Sequence, residues 1–356
     1  MTTSARKSGR GGLRCAAILA CIVWGGIVAA LLTPLILDAV HDYFYPYSSP
    51  KGLWFMGAVQ TAFAGWVGLA CIERKFRPEA NIIAFGVLAC IVFQSVSAVH
   101  GPDAVRSFWS TYERMSGVAM HAHLFVFFLV LASFLKSDGD WRRLFAVSAS
   151  VAAVVSILGL VHNLGSGSPI PAGYLSSALN CGSTLGNTSF MGSYLLINSF
   201  LTLYLFLTSS GRKKMLYAVL IVLLVSGILL NPGGRAMKIS LLVGVASIAA
   251  MRIAAMDRIR NERKRAVAYA VALILPVFAI FSMLFIYREA VLPGVMGIDG
   301  VSIRLEVWSI AWNGFLDRPL LGWGLENFDL VYFKYFDPAI LVGQGLKTQV
   351  HWFDRA

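Results

Sequence analysis

The sequence predicts an all-α polytopic membrane protein, and three observations carry that prediction. Nine apolar runs of about membrane-spanning length follow one another along the chain. Basic residues alternate sides between them. The composition, 57% hydrophobic and 13% charged over 356 residues, leaves no room for a separate soluble domain.

The runs cover 13–37, 53–72, 81–99, 118–135, 144–161, 187–207, 215–230, 237–251 and 267–286. With flanking Arg14 and Lys238 assigned to the adjacent loops, one side collects 19 Lys and Arg and the other 5, the tail beyond residue 286 left aside. Positive charge stays on the cytoplasmic side, so residues 1–12 form a cytoplasmic basic N-terminus and 13–286 the transmembrane domain. Residues 287–356 then form an external segment. The basic start at Arg6, Lys7 and Arg10 resembles that of a signal peptide, but its apolar run is too long and eight more follow, so it reads as a retained anchor.

The net charge of +12 does not point to nucleic acid. Most of it lies in short cytoplasmic turns such as Arg74–Arg77 and Arg212–Lys214, where topology and anionic membrane lipids account for it. Cys15, Cys21, Cys71 and Cys90 fall in or beside apolar runs, and Cys181 stands alone in an outer loop, so no metal-ligand or disulfide framework is visible. His121 and His123, two apart on a helix, point to different sides and read as structural or pore-facing polar groups.

With the N-terminus inside, the second, fourth, sixth and eighth spans begin at the outer face. A helix N-terminus offers free N–H groups and about half a positive charge, which suits an anion. The fourth span is entered through Ser110–Gly117, including Glu113 and Arg114. The sixth follows Ser183–Ser189, where Asn187, Thr188 and Ser189 suit N-capping, and the eighth follows Asn231–Ala236. Arg235 there opposes the helix dipole, a placement explained either by a bound anion or by snorkelling to lipid phosphates. Arg114 has the same two explanations, with Glu113 able to neutralise it.

In the external segment, Leu305, Trp308, Trp312 and Phe315 recur at helical spacing, and Arg304, one turn before Trp308, starts the same face. That predicts a short amphipathic helix whose tryptophans suit the membrane interface, ended by Pro319 and followed by a turn at Leu320–Gly324. Asn327–Phe328 and Tyr332–Phe336 add aromatic faces, which anchor at interfaces and also stack on sugars.

Four blocks, Tyr112–Gly117, Ser183–Asn187, Gly234–Ala236 and Arg304–Phe328 with its Arg318-Pro319-Leu320-Leu321-Gly322-Trp323-Gly324, resemble the O-antigen ligase and O-antigen polymerase superfamily of membrane glycosyltransferases. The resemblance runs through most of the chain from Tyr112 onward. It implies transfer of a glycan from undecaprenyl pyrophosphate to a hydroxyl acceptor, lipid A-core in a ligase, at the periplasmic face of the bacterial inner membrane. It implies no metal and no nucleotide sugar. Arg235 and Arg304 match the family's pyrophosphate-binding arginines, Arg114 is a third candidate, and Asn187 marks a helix N-terminus near the donor. Arginines and helix ends stabilise charge developing on such a leaving group.

In relatives of this type a Trp-Phe-Asp-Arg-Ala segment continues into His-Asn, whose His is the catalytic base. Here Trp352–Ala356 ends the chain, so the expectation is a truncated enzyme whose base lies just past Ala356. Nine spans instead of about twelve fit the same expectation, and His351 occupies a different place in the motif. O-antigen polymerase and protein O-oligosaccharyltransferase share the donor chemistry and stay open as alternatives. From other classes, a multi-span transporter or an inactive lipid-glycan-binding remnant remain. Internal repeats and mid-span acidic residues, which would favour a transporter, are not evident.

Overall fold

The computed structural model describes residues 2–37, 48–112, 114–163, 182–231, 235–254 and 299–336. Among them all regular structure is helical: α1 (Thr2–Leu31), α2 (Ser49–Ile72), α3 (Ile82–His100), α4 (Ala104–Trp109), α5 (Val118–Phe134), α6 (Asp138–Asn163), α7 (Thr188–Thr208), α8 (Gly211–Leu229), α9 (Arg235–Ala254), α10 (Asp299–Asp317) and α11 (Phe328–Tyr335).

Eight of the nine apolar runs coincide with a helix, and the ninth, 267–286, lies outside the described residues. Among the described residues five helices are long and apolar enough to cross a membrane: residues 14–31, 49–72, 82–100, 138–161 and 188–208. Two further apolar helices, Val118–Phe134 and Met237–Ala249, are shorter. The α8 helix opens on Arg212, Lys213 and Lys214, so only its later part is apolar. Nine full-length spans were expected, and the difference comes from these short or basic-ended helices together with the undescribed ninth run.

Several helix starts follow from side-chain caps. Asn81 accepts from the Ile83 amide at the head of α3, and Asp103 from that of Arg106 at the head of α4. Ser137 and Asp140 cap α6 reciprocally, which starts that helix six residues before the apolar run at Leu144.

The chain divides into two compact units, one of residues 1–151 with 303–356, the other of 152–302. In the first, α1 lays Ala16, Val23 and Ile27 against Ala62, Trp66 and Leu69 of α2, and Val130 and Phe134 of α5 join them. The close approach depends on Gly26, where a Cβ would come 2.6 Å from the Ala62 nitrogen. By contrast α3 is largely exposed, from Ile82 (86%) to Val99 (72%), as a lipid-facing helix would be. In the second unit, Ser156 donates to the Leu223 carbonyl where Gly227 lets α8 approach α6. Buried Asn198 and Thr202 bond to carbonyls one turn back in α7, satisfying polar groups within an apolar core.

Candidate functional site

At one end of the first unit the tail that follows α10 folds over the segment joining α3 to α5. The turn predicted at Leu320–Gly324 is present, with Gly322 and Gly324 in left-handed conformations (φ 66° and 79°) that glycine adopts without strain. Two serine hydroxyls, one from α3 and one from α4, hold the tail by its backbone, and the Asn327 side chain adds to them. Ser97 Oγ donates to the Leu321 carbonyl and Ser107 Oγ to that of Leu325 at 2.9 Å. The Asn327 amide donates to Ser107 Oγ at 2.9 Å and to the Trp323 carbonyl at 2.8 Å. Side-chain charge adds Arg106 to Asp329 at 2.7 Å. These polar groups are largely withdrawn from water, so each bond matters more than it would on an open surface.

At the centre stands Glu326. Its side chain is 11% exposed; one oxygen accepts from Ser116 Oγ at 3.1 Å, and the other lies 3.6 Å from Arg114. Its backbone is left-handed (φ 63°), as are those of Ser110 (72°) and Met115 (51°) on the opposing loop. Such conformations in non-glycine residues cost of order 1–3 kcal/mol each and persist where surrounding contacts over-determine them. Gly117 closes the loop onto α5 with no side-chain cap, and a Cβ there would meet the Phe108 carbonyl oxygen at 2.5 Å. Ser49, in the first turn of α2, donates to the Tyr112 carbonyl and fixes the loop from its other side.

Arg114 therefore has its carboxylate partner in Glu326, a residue that sequence reasoning did not select. Glu113, the neighbour expected to neutralise Arg114, lies outside the described residues. Arg304 falls within α10 in the same unit, and Arg235 is the first residue of α9 in the other. The side chains of both lie outside the described residues. Asn187 is the N-cap of α7, its Oδ1 accepting from the Ser189 amide at 2.8 Å, so the capping role read from sequence is present. The position just past Ala356 expected for the catalytic histidine also lies outside the described residues.

Two of the four sequence blocks meet, and residues flanking the other two are bonded to each other. Tyr112–Gly117 touches the Arg304–Phe328 block through Arg114, Ser116 and Glu326. In the second unit, Asn231, just before the Gly234–Ala236 block, donates to the Thr188 carbonyl just after Ser183–Asn187, at 3.3 Å. Ser183 itself is buried, donates to the Val155 carbonyl at 2.8 Å and has φ 54°.

The α10 helix is apolar on two faces. Val307 and Ile310 bury against Val331 and Tyr332 of α11, while Trp308 (65% exposed) and Trp312 (60%) face outward. On α5, His123 Nδ1 donates to the Ala119 carbonyl, which makes Nε2 the acceptor from Gln60 Nε2 at 3.0 Å. Among the described residues no three His, Cys, Asp or Glu gather to hold a metal. No family model, curated protein or solved structure matches the chain.

Proposed function

We propose that this chain is an O-antigen ligase-like glycosyltransferase of the bacterial inner membrane. It moves a glycan from undecaprenyl pyrophosphate to a hydroxyl acceptor, lipid A-core in the ligase reading, at the periplasmic face. The observation that supports the proposal is the contact between the Tyr112–Gly117 and Arg304–Phe328 blocks. Ser116 and Glu326, 210 residues apart in the chain, are hydrogen-bonded, which joins two of the blocks that carry the family resemblance. In this reading Arg114, Arg235 and Arg304 bind the pyrophosphate, and Glu326 fixes the orientation of Arg114.

The nine-span, N-terminus-inside topology belongs to the same proposal. The loop at 101–117 and the tail at 318–329 lie against each other, so they occupy one side of the membrane. An even number of crossings must then separate them, and the six apolar runs between Val118 and Ile286 provide one. The α3 end of that unit points outward if the basic turn at Arg74–Arg77 faces the cytoplasm.

Glycan transfer in native membranes supplied with undecaprenyl-pyrophosphate oligosaccharide and lipid A-core tests the proposal. Arg114→Ala, Arg235→Ala and Arg304→Ala should each lower transfer by 10²-fold or more, as loss of a charge-stabilising donor does, while the protein remains inserted. Normal transfer by all three variants would overturn it, and so would solute flux in proteoliposomes that needs no lipid-linked donor.

A further inference from the structure

Beside the candidate site, and separate from it, the end of α3 and the start of the tail turn form a cleft of about 300 Å³. It is lined by His100, Arg318, Pro319, Leu320, Leu321 and Gly322. We propose that this cleft binds the headgroup phosphate of a phosphodiester lipid in the bilayer.

The charge of the cleft comes from Arg318, which meets Asp317 only through space while Lys334 takes the direct bond. The Arg318 guanidinium stacks on the Trp323 ring at 4.3 Å, an arrangement that occupies its face and leaves its N–H edges to donate. Among the described residues no carboxylate pairs with it, since neighbouring Asp317 is held by Lys334 at 2.7 Å. His100 Nδ1 lies 2.9 Å from the Val96 carbonyl, which can only accept, so this nitrogen carries the proton and donates. That bond fixes the ring and leaves Nε2 for a ligand. One permanent cation matches the single charge of a phosphodiester better than the several charges of a pyrophosphate.

Depth and polarity identify the source of that phosphate. The 19 residues of α3 span about 28 Å at 1.5 Å per residue, close to the hydrocarbon thickness. His100, the last of them, is therefore at the level where lipid phosphates lie. Below it, Val99 (72% exposed), Val96 (41%), Phe93 (54%) and Val92 (55%) form an apolar track on α3, and Leu320 (82%) extends the apolar rim of the cleft. A lipid can seat its phosphate between Arg318 and His100 and lay its chains along α3. A free phosphate would gain nothing from that track.

The test places a photo-crosslinking residue at the rim, Leu320→p-benzoylphenylalanine, in the whole protein reconstituted in phosphatidylglycerol vesicles, and weighs the adduct by mass spectrometry. We expect a phospholipid adduct whose yield falls roughly tenfold with Arg318→Gln and severalfold with His100→Gln. The same crosslinker at exposed Phe85, far from the cleft on α3, should keep its lipid adduct in both backgrounds. Equal yields at Leu320 with and without the two substitutions would overturn the proposal, because simple immersion in lipid would then explain the adduct. So would loss of the adduct on adding inorganic phosphate at about 10 mM, which would assign the cleft to a free anion. If Arg318→Gln also lowers the Phe85 yield, the fold is disturbed and the His100→Gln result decides. Failure here leaves the transfer assay of Arg114, Arg235 and Arg304 untouched.

Discussion

Gly117→Ala is the smallest change that should disturb the junction between loop and tail. At φ −74° the backbone there is open to any residue, so the effect is purely steric. The added Cβ would stand 2.5 Å from the Phe108 oxygen, 2.7 Å from the Ser110 nitrogen and 2.8 Å from the Phe108 carbonyl carbon. Reaching an ordinary contact near 3.4 Å requires the loop to move by about 0.9 Å. All three obstacles are backbone atoms, and the stretch is held on both sides, by Ser49 at Tyr112 and by Ser107 at Leu325. Overpacking typically costs 1–3 kcal/mol, and a pinned backbone places this case at about 2–3. At about 2.1 cal/mol/K per residue, a chain of 356 residues converts that into a fall of roughly 3–4 °C in unfolding temperature, measurable by thermal unfolding in detergent. Gly139→Ala is the control: its Cβ meets only Ser137 Oγ at 3.6 Å, in the first turn of α6, and should be neutral or slightly stabilising. If the two variants unfold at the same temperature, the loop is not seated on α5 in the manner described, and the account of the junction fails.

Three further outcomes are expected. Arg114→Ala should destabilise more than Glu326→Gln, because it leaves a nearly buried carboxylate with only Ser116; a double-mutant cycle should give about 1 kcal/mol of coupling, reduced by the 38% exposure of Arg114, and strict additivity would contradict the ion pair. Asn187→Ala should cost about 1 kcal/mol through the lost cap of α7 while Asn187→Asp retains most of it, so equal unfolding temperatures for the two would dismiss the capping role. The hydrogen bond from Lys334 holds the Asp317 carboxyl below its ordinary value and raises the Lys334 ammonium above its own. The carboxylate's contribution is therefore complete above about pH 4 and is lost as pH falls through the depressed value, whereas the lysine's is complete below about pH 10 and is lost as pH rises through the raised one. NMR titration of the tail should find both displacements in wild type and a smaller rise of the lysine in Asp317→Asn, where only the Tyr335 hydroxyl still raises it; an unchanged lysine would contradict the pair.

Helix positions were legible because a run of apolar residues leaves the backbone no alternative to internal hydrogen bonding in lipid. The turn after Pro319 was legible because Gly322 and Gly324 supply its left-handed conformations. The role of Glu326 was not. Nothing in Leu325-Glu326-Asn327 distinguishes a surface carboxylate from one enclosed by a loop some two hundred residues earlier, and its left-handed backbone has no glycine to announce it. The α10 face that buries Val307 and Ile310 was hidden for a related reason: the tryptophans beside it give the stronger periodic signal, and the partner, α11, is too short to read. His123 showed as a polar residue in an apolar helix, but its partner Gln60 is 63 residues away, and only the packing of α2 on α5 reveals the pair. The blocks around Arg114 and Glu326 were visible singly, whereas their contact was a product of the fold.

The bonds between Ser107, Asn327 and Leu325 also set an order of events during synthesis. At 5–20 residues per second, the 220 residues between Ser107 and Asn327 take roughly 10–40 s to be made. For that interval the nascent loop at 101–117 has been delivered across or against the membrane without the segment that satisfies Ser97, Ser107 and Arg106. A ribosome that pauses between α5 and α10 prolongs that exposure. The loop is then open to proteases and to wrong partners until the tail arrives.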